Sequence, residues 1–75
     1  MTMRIIDRLF YMVEVEKARK ILEQRGYPTK WDRRYKCIII EHNLREVRFF
    51  PKSEWFSGGS VDDGRGFQNL LDQLW

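Results

Sequence analysis

The chain has 75 residues, of which 43% are hydrophobic and 15% aromatic, and its formal net charge at pH 7 is +3. This length suits one small domain spanning residues 1–75, with little room for a large buried core. Because the chain has one cysteine and one histidine, it has neither an internal disulfide nor the ligands of a structural zinc site, and we expect no cofactor and no metal.

The first segment, about residues 3–25, is predicted to be a helix because no glycine or proline precedes Gly26 and Pro28. Its apolar residues form two sets that point in different directions at 100° per residue. The first set is Ile5, Ile6, Leu9, Phe10 and Val13, and the second is Ala18, Ile21 and Leu22. Either the helix bends between the sets or a second partner covers one of them, so a homodimer through this helix is one alternative.

The same segment shows no sign of export or membrane insertion. Charged residues, among them Arg4 and Asp7, interrupt its apolar residues, and no stretch of about 18 apolar residues occurs in the chain. A lone cysteine also fits a reducing compartment. We therefore expect no secretory signal and no membrane contact, and we predict a cytoplasmic location.

Two segments in the middle of the chain are predicted to pair as an antiparallel hairpin. Residues 35–41 and 45–50 are rich in β-branched and aromatic side chains. His42 and Asn43 are expected in the turn between them, since asparagine tolerates the left-handed backbone of a tight hairpin. Residues 27–33 are a candidate third strand.

A short helix is predicted at the end of the chain, after Pro51 stops the second strand and a loop follows. Asp62 or Asp63 is expected to cap the start of this helix. Its apolar residues recur at i, i+3, i+4 and i+7, and they are Phe67, Leu70, Leu71 and Leu74. The order of helix, two or three antiparallel strands and helix predicts a two-layer α+β domain.

The loop before the last helix is rich in glycine. Glycine-rich segments at helix starts bind phosphate in many proteins, but neither phosphate-binding glycine motif is present and two aspartates in the loop would repel an anion. We expect a structural loop in which glycines permit positive φ, Arg65 pairs with an acid or a carbonyl, and Trp55 lies in the core. The residues of this structural loop are Trp55, Gly58, Gly64, Arg65 and Gly66.

The last third of the chain contains a series of short motifs. In order, they are Phe50-Pro51-Lys52, Trp55, Ser57-Gly58, Asp63-Gly64-Arg65-Gly66 and Leu70-Leu71-Asp72-Gln73-Leu74. Over about residues 47–74 this series resembles the ending of small uncharacterised proteins from Bacteroides-type bacteria and their phages. The resemblance implies an origin in a mobile element or an accessory role in the host, and it implies no chemistry. Those proteins often have a lysine where this chain has Gly59, so the resemblance does not favour phosphate binding by the loop.

The middle of the chain combines positive charge with aromatic side chains. Residues 17–36 carry eight basic residues against two acidic ones, a net charge of +6, whereas residues 53–75 carry one against four, a net charge of −3. Basic side chains contact phosphates, and aromatic rings stack on unpaired bases. If residues 30–36 are extended, they form a platform for nucleic acid. The predicted binding residues are Lys30, Trp31, Arg33, Arg34, Tyr35 and Lys36.

The basic patch also fits two roles that involve no nucleic acid, and both stay open. Such a patch is typical of a solvated edge strand that charge protects from aggregation. Alternatively, the acidic C-terminal segment pairs with the patch, either within one chain or across a dimer.

Three functions are consistent with these observations. The leading hypothesis is a small binding or accessory protein that contacts nucleic acid through the basic patch. The second is a homodimeric protein–protein interaction module whose surface includes Phe10, Val13 and Trp75. The third is a small hydrolase, which requires a pocket that brings His42 near a serine or an acid. Because the sequence shows no catalytic constellation, we expect no enzymatic activity.

Overall fold

The computed structural model describes the backbone of residues 5–74 and the side chains of residues 13–74. Its elements are α1 (Ile5–Gln24), β1 (Thr29–Asp32), β2 (Cys37–His42), β3 (Arg45–Phe50), β4 (Trp55–Gly58), β5 (Gly64–Arg65) and α2 (Phe67–Gln73). The strands form one antiparallel sheet in the order β1-β2-β3-β4-β5. The predicted α+β class is therefore confirmed, but the sheet has five strands where two or three were expected.

The centre of the sheet is the predicted hairpin of β2 and β3. Ile38 lies opposite Phe49 in the register, and both side chains are buried. Asn43 and Leu44 form the turn with φ of 53° and 64°, the left-handed conformation of a two-residue hairpin. His42 was expected in this turn, but it is the last residue of β2 and is buried, because it continues the alternation that buries Ile38 and Ile40.

The first strand lies where the third strand was predicted, but it ends at Asp32. The Oδ1 atom of Asp32 accepts hydrogen bonds from the backbone N–H groups of Arg34 (2.9 Å) and Tyr35 (3.2 Å), and Lys36 has a φ of 54°. An aspartate bound to the backbone of the next residues favours a turn over a continued ladder. Residues 33–36 are therefore a turn, so the condition that residues 30–36 are extended is met only by residues 30–32, which lie in β1.

The fourth and fifth strands occupy a segment that was expected to be an irregular loop. In β4, Phe56 lies opposite Phe49 on one side and Gly64 on the other. A Cβ atom on Gly64 would lie 2.9 Å from Cζ of the Phe56 ring, so this position requires a residue without a side chain. Gly58 lies opposite Val47, and a Cβ atom there would come within 2.6 Å of the Val47 Cα. Gly58 therefore allows a close approach of β3 and β4, and Gly64 leaves room for the Phe56 ring.

Both helices pack on one face of the sheet, which gives two layers. The buried core consists of Val15, Ala18 and Leu22 of α1, Ile38, Ile40, Val47, Phe49 and Phe56 of the sheet, and Leu70, Leu71 and Leu74 of α2. The helix α1 runs unbroken through both predicted apolar sets. Among residues 5–74, neither helix is both long enough and apolar enough to span a bilayer.

The start of α2 is held by Glu54 and not by the aspartates that were expected to cap it. The Glu54 carboxylate accepts the N–H of Phe67 at 3.2 Å, and the Glu54 carbonyl accepts the N–H of Gly66 at 2.9 Å. Asp62 and Asp63 are separated from the helix by β5, and the N–H of Asp62 donates to the Gln73 side chain at 2.7 Å.

Candidate nucleic-acid interface

Cations from three separate segments meet at one end of the sheet. In an antiparallel meander, alternate turns lie at the same end, so residues 33–36 and 51–54 are about 10 Å apart, two strand spacings. Arg65 lies at this end as well, because it pairs with Trp55, the first residue of β4. The exposed basic residues that we call the basic end are Arg33, Arg34, Lys36, Lys52 and Arg65.

The charges of the basic end are not neutralised by nearby acids. Among the side chains of residues 13–74, the ion pairs are Lys17–Glu14, Arg19–Glu16 and Arg48–Asp32. Two acids lie at this end of the sheet, and Asp32 pairs with Arg48. Glu54 accepts the N–H of Phe67 and offsets one of the five positive charges without forming an ion pair with them, so the net charge stays positive. The pairing of the acidic C-terminal segment with the patch does not occur among these side chains. This part of the chain therefore presents positive charge to solvent.

Asp32 shapes the turn that carries most of this charge. Its Oδ1 atom accepts the two turn N–H groups, and its Oδ2 atom lies 3.2 Å from Nη1 of Arg48. The hydrogen bond from the Tyr35 backbone, with help from Arg48, lowers the pKa of Asp32. Asp32 is therefore ionised at neutral pH. Its stabilising effect is present above the unfolded pKa and is lost as the pH falls through the lower folded pKa.

Next to this pair, Cys37 is fully buried, and its Sγ atom lies 3.6 Å from Nη1 of Arg48. Burial raises the pKa of the Cys37 thiol. Hydrogen bonds to Cys37 and Asp32 raise the pKa of Arg48, which keeps this guanidinium charged. Arg48 is therefore committed to contacts within the fold, unlike the cations of the basic end.

The structure divides the six predicted binding residues between the surface and the core. Arg33, Arg34, Tyr35 and Lys36 are exposed in the turn, with the Arg34 guanidinium 5.6 Å from the centre of the Tyr35 ring. Lys30 is exposed on β1. The expectation that Trp31 belongs to this surface is wrong, because its side chain is half-buried and packs against the core, in register with Ile38.

Two aromatic residues lie next to each other on the sheet face that points away from the helices. Trp55 and Phe50 are opposite each other in the register of β4 and β3, and Trp55 is 39% exposed. Trp55 was expected in the core, but Phe56 takes that position, and a shift of one residue along a strand reverses the face. We call this surface the open face, and its residues include Lys30, Ile39, Glu41, Glu46, Arg48, Phe50, Trp55, Ser57 and Arg65.

The side chain of Arg65 does not have the structural role that was predicted for it in the loop. It was expected to pair with an acid or a carbonyl, but no carboxylate among residues 13–74 pairs with it. The backbone carbonyl of Arg65 accepts the Asn69 side-chain amide at 2.7 Å, while its own side chain is exposed. The guanidinium therefore adds to the charge of the basic end.

At the opposite end of the sheet, His42 links three elements. Its Nε2 atom lies 3.0 Å from the Leu74 carbonyl and must donate to it, so Nδ1 accepts the Ser60 hydroxyl at 2.9 Å. The Tyr27 hydroxyl donates to the same carbonyl, and its ring meets the His42 ring edge-on at 5.3 Å. These contacts satisfy a carbonyl that the end of α2 would otherwise leave unpaired.

The same contacts bring a serine within hydrogen-bond reach of a histidine, as the hydrolase alternative requires. An open depression of about 480 Å³ is lined by His42, Pro28 and Glu41 among others, but Ser60 does not line it. The His42 ring is only 9% exposed, and both of its nitrogens are bound within the fold. This arrangement favours a structural link over a general base. Within the described residues, no group of three or more His, Cys, Asp or Glu could hold a metal.

The predicted dimer surface falls only partly within the described side chains. Val13 is 49% exposed, outside the buried stripe of Val15, Ala18 and Leu22. The side chains of Phe10 and Trp75 lie outside the described residues. A homodimer through these residues therefore stays a prediction.

Comparison with protein-family models, with curated proteins and with solved structures gives no match for this chain. The resemblance of residues 47–74 to proteins of Bacteroides-type bacteria and phages stays a prediction. The function is therefore inferred from the geometry and charge of the surfaces described above.

Proposed function

We propose that the protein is a small binding protein that contacts nucleic acid through the basic end of its sheet. The observation that supports this proposal is the convergence of the cations in residues 33–36 with Lys52 and Arg65, none of which pairs with a carboxylate among residues 13–74. Like charges that are close together repel each other and destabilise the free protein. A bound polyanion removes that repulsion.

The spread of these cations favours nucleic acid over a single phosphate group. The two turns lie about 10 Å apart across the sheet, whereas a phosphate group is bound by donors that converge on one point. A nucleic acid strand presents a charge about every 3.4 Å along its axis. It can therefore contact both turns at once. Tyr35, which is 58% exposed beside Arg34, adds a ring on which a base can stack.

Protection of an edge strand accounts for only part of this charge. β1 lies at the edge of the sheet, and Lys30 is an exposed cation on it, as expected for a strand that avoids aggregation. Lys52 and Arg65 are not on that strand, since Lys52 follows β3 and Arg65 lies on β5. β5 is the other edge of the sheet, so edge protection also fits Arg65. It does not account for Lys52 in the turn after β3, whereas a polyanionic ligand accounts for Lys52, Arg65 and the cations of residues 33–36 together.

The test is a double charge reversal, Arg33→Glu with Arg34→Glu. The matched control is Lys17→Glu with Lys20→Glu, which changes the net charge equally at exposed positions of α1. Fluorescence anisotropy with labelled DNA and RNA measures affinity as a function of salt. We expect the turn variant to lose affinity about tenfold or more, and its log–log salt slope to flatten by about one to two. Unchanged affinity, or an equal loss in the control, would contradict the proposal.

A homodimeric interaction module is the second candidate. It is favoured by the exposure of Val13 (49%) and Ile21 (38%) on α1, outside the stripe that packs on the sheet. Light scattering that shows a mass of two chains, together with no binding of DNA or RNA, would favour this function over the first.

A further inference from the structure

We propose that the open face of the sheet holds unpaired bases, so that the protein binds single-stranded nucleic acid in preference to a duplex. This inference rests on the proposed function, in which the basic end contacts the phosphates. It assigns a separate role to Phe50 and Trp55, which carry no charge and lie next to the basic end on the face without helices.

The register places these two aromatic residues side by side, with one cation beside them across the sheet and another at the end of their strands. Trp55 lies opposite Phe50 on β3 and opposite Arg65 on β5. Residues that face each other across antiparallel strands have Cβ atoms about 5 Å apart, so the two side chains start from adjacent positions on the same face. Lys52 lies in the turn that joins their strands. A strand whose phosphates contact Arg65 and Lys52 therefore passes over the rings.

Trp55 is not needed to fill the hydrophobic core. The core beneath β4 is filled by Phe56, which is fully buried, and Phe49 fills the same layer from β3. Trp55 lies on the opposite face with 39% of its surface exposed, and Phe50 beside it is half-buried. Large aromatic residues on an exposed sheet face are the platform on which single-strand-binding domains stack bases.

The charges on the open face limit where a strand can lie. Glu41 and Glu46 are exposed and opposite each other at the far end of this face. They repel phosphates, while Arg65 and the turn cations attract them at the near end. The polarity of the face therefore confines the strand to the half that contains Phe50 and Trp55.

A duplex cannot use this surface in the same way. Its bases are stacked on one another, and only their edges are accessible in the grooves. A duplex can therefore contact the basic end through its phosphates, but it cannot stack on Trp55. The aromatic pair is expected to add affinity for single strands alone, by about 5- to 150-fold for each stacked base.

The test measures binding of the Trp55→Ala variant to a labelled single-stranded 12-mer and to a hairpin duplex, each as DNA and as RNA. We expect single-strand affinity to fall about tenfold, duplex affinity to stay within about twofold, and the salt slope to stay unchanged because no phosphate contact is lost. Trp55→Phe should retain most of the affinity. Leu44→Ala is the matched control, since Leu44 is a fully exposed apolar residue at the opposite end. Circular dichroism verifies the fold of each variant.

Cross-linking provides a measurement on the unmodified chain. An oligonucleotide that contains 5-bromouracil is irradiated with the protein, and the tryptic peptides are analysed by mass spectrometry. Cross-links that peptide fragmentation assigns to Phe50 or Trp55 support the inference, and cross-links assigned only to Lys52 or Arg65 overturn it. Cross-links confined to the peptides of residues 31–36 overturn it.

The remaining outcomes separate this inference from the proposed function. If Trp55→Ala binds single strands as the unmodified chain does, while reversal of Arg33 and Arg34 still weakens binding, the inference is wrong and the proposed function stands. If the unmodified chain binds no oligonucleotide, both are wrong. A two-chain mass that falls to one chain in Trp55→Ala, without a change in oligonucleotide affinity, overturns the inference and assigns the open face to self-association.

Discussion

At the residue scale, the buried polar contacts show what holds the small fold together. We expect His42→Ala to lower the free energy of unfolding by about 2–4 kcal/mol, because it leaves the Leu74 carbonyl without one donor and opens a cavity. Ser60→Ala, which loses one partly buried hydrogen bond, should cost about 1 kcal/mol. Urea denaturation followed by circular dichroism measures both, and Ser57→Ala on the open face is the control.

The same variants test the hydrolase alternative. If the pair of His42 and Ser60 is structural, the unmodified chain hydrolyses p-nitrophenyl acetate no faster than Ser60→Ala does. A rate that disappears in Ser60→Ala, with the fold intact, would instead assign catalysis to this pair.

The two tryptophans show what the sequence pattern cannot decide at this scale. Trp31 was predicted on the surface and packs against the core, whereas Trp55 was predicted in the core and lies on the open face. Alternation along a strand assigns side chains to two faces, but it does not say which face meets the helices. In β4 that choice depends on Phe56, which fills the core in place of its neighbour.

At the element scale, the glycines of the last sheet strands are the sites most sensitive to a small change. We expect Gly58→Ala to lower the free energy of unfolding by about 2–3 kcal/mol, because its Cβ atom would lie 2.6 Å from the Val47 Cα and 2.7 Å from the Glu46 carbonyl oxygen. Gly59→Ala is the matched control, since its Cβ atom would meet only the flexible side chain of Arg45. Thermal unfolding of both variants measures the difference. Equal stability of the two variants would show that β3 and β4 do not approach each other this closely.

The elements that were predicted correctly have strong local signals. Asn43 and the β-branched residues on either side of it indicate the central hairpin, and the spacing of apolar residues from Phe67 to Leu74 indicates α2. The strands β4 and β5 have no such signal. Gly58 and Gly64 occupy sheet positions where an apolar side chain would normally mark the pattern, so these strands resemble a loop in the sequence.

At the scale of the whole molecule, the topology of the sheet brings together charged residues that are far apart in the sequence. The positive segment of residues 17–36 is partly neutralised on α1, where Lys17 pairs with Glu14 and Arg19 with Glu16. Two cations of the basic end come from elsewhere. They are Lys52 and Arg65, and Arg65 lies in the segment with a net charge of −3. The place of Lys52 follows from the predicted hairpin, because the end of its second strand lies beside the start of its first. The place of Arg65 could not be predicted, because it depends on β4 and β5, which were predicted to be a loop.

The measurement that tests the central claim most directly is the affinity of the unmodified chain for a single-stranded oligonucleotide across a salt titration. If three to five side chains of the basic end contact phosphates, the slope of log affinity against log salt should lie between about −2 and −3.5. Binding to a duplex of equal length should be weaker. An absence of binding at low salt, or an affinity that does not change with salt, would contradict the claim that this end of the sheet binds nucleic acid.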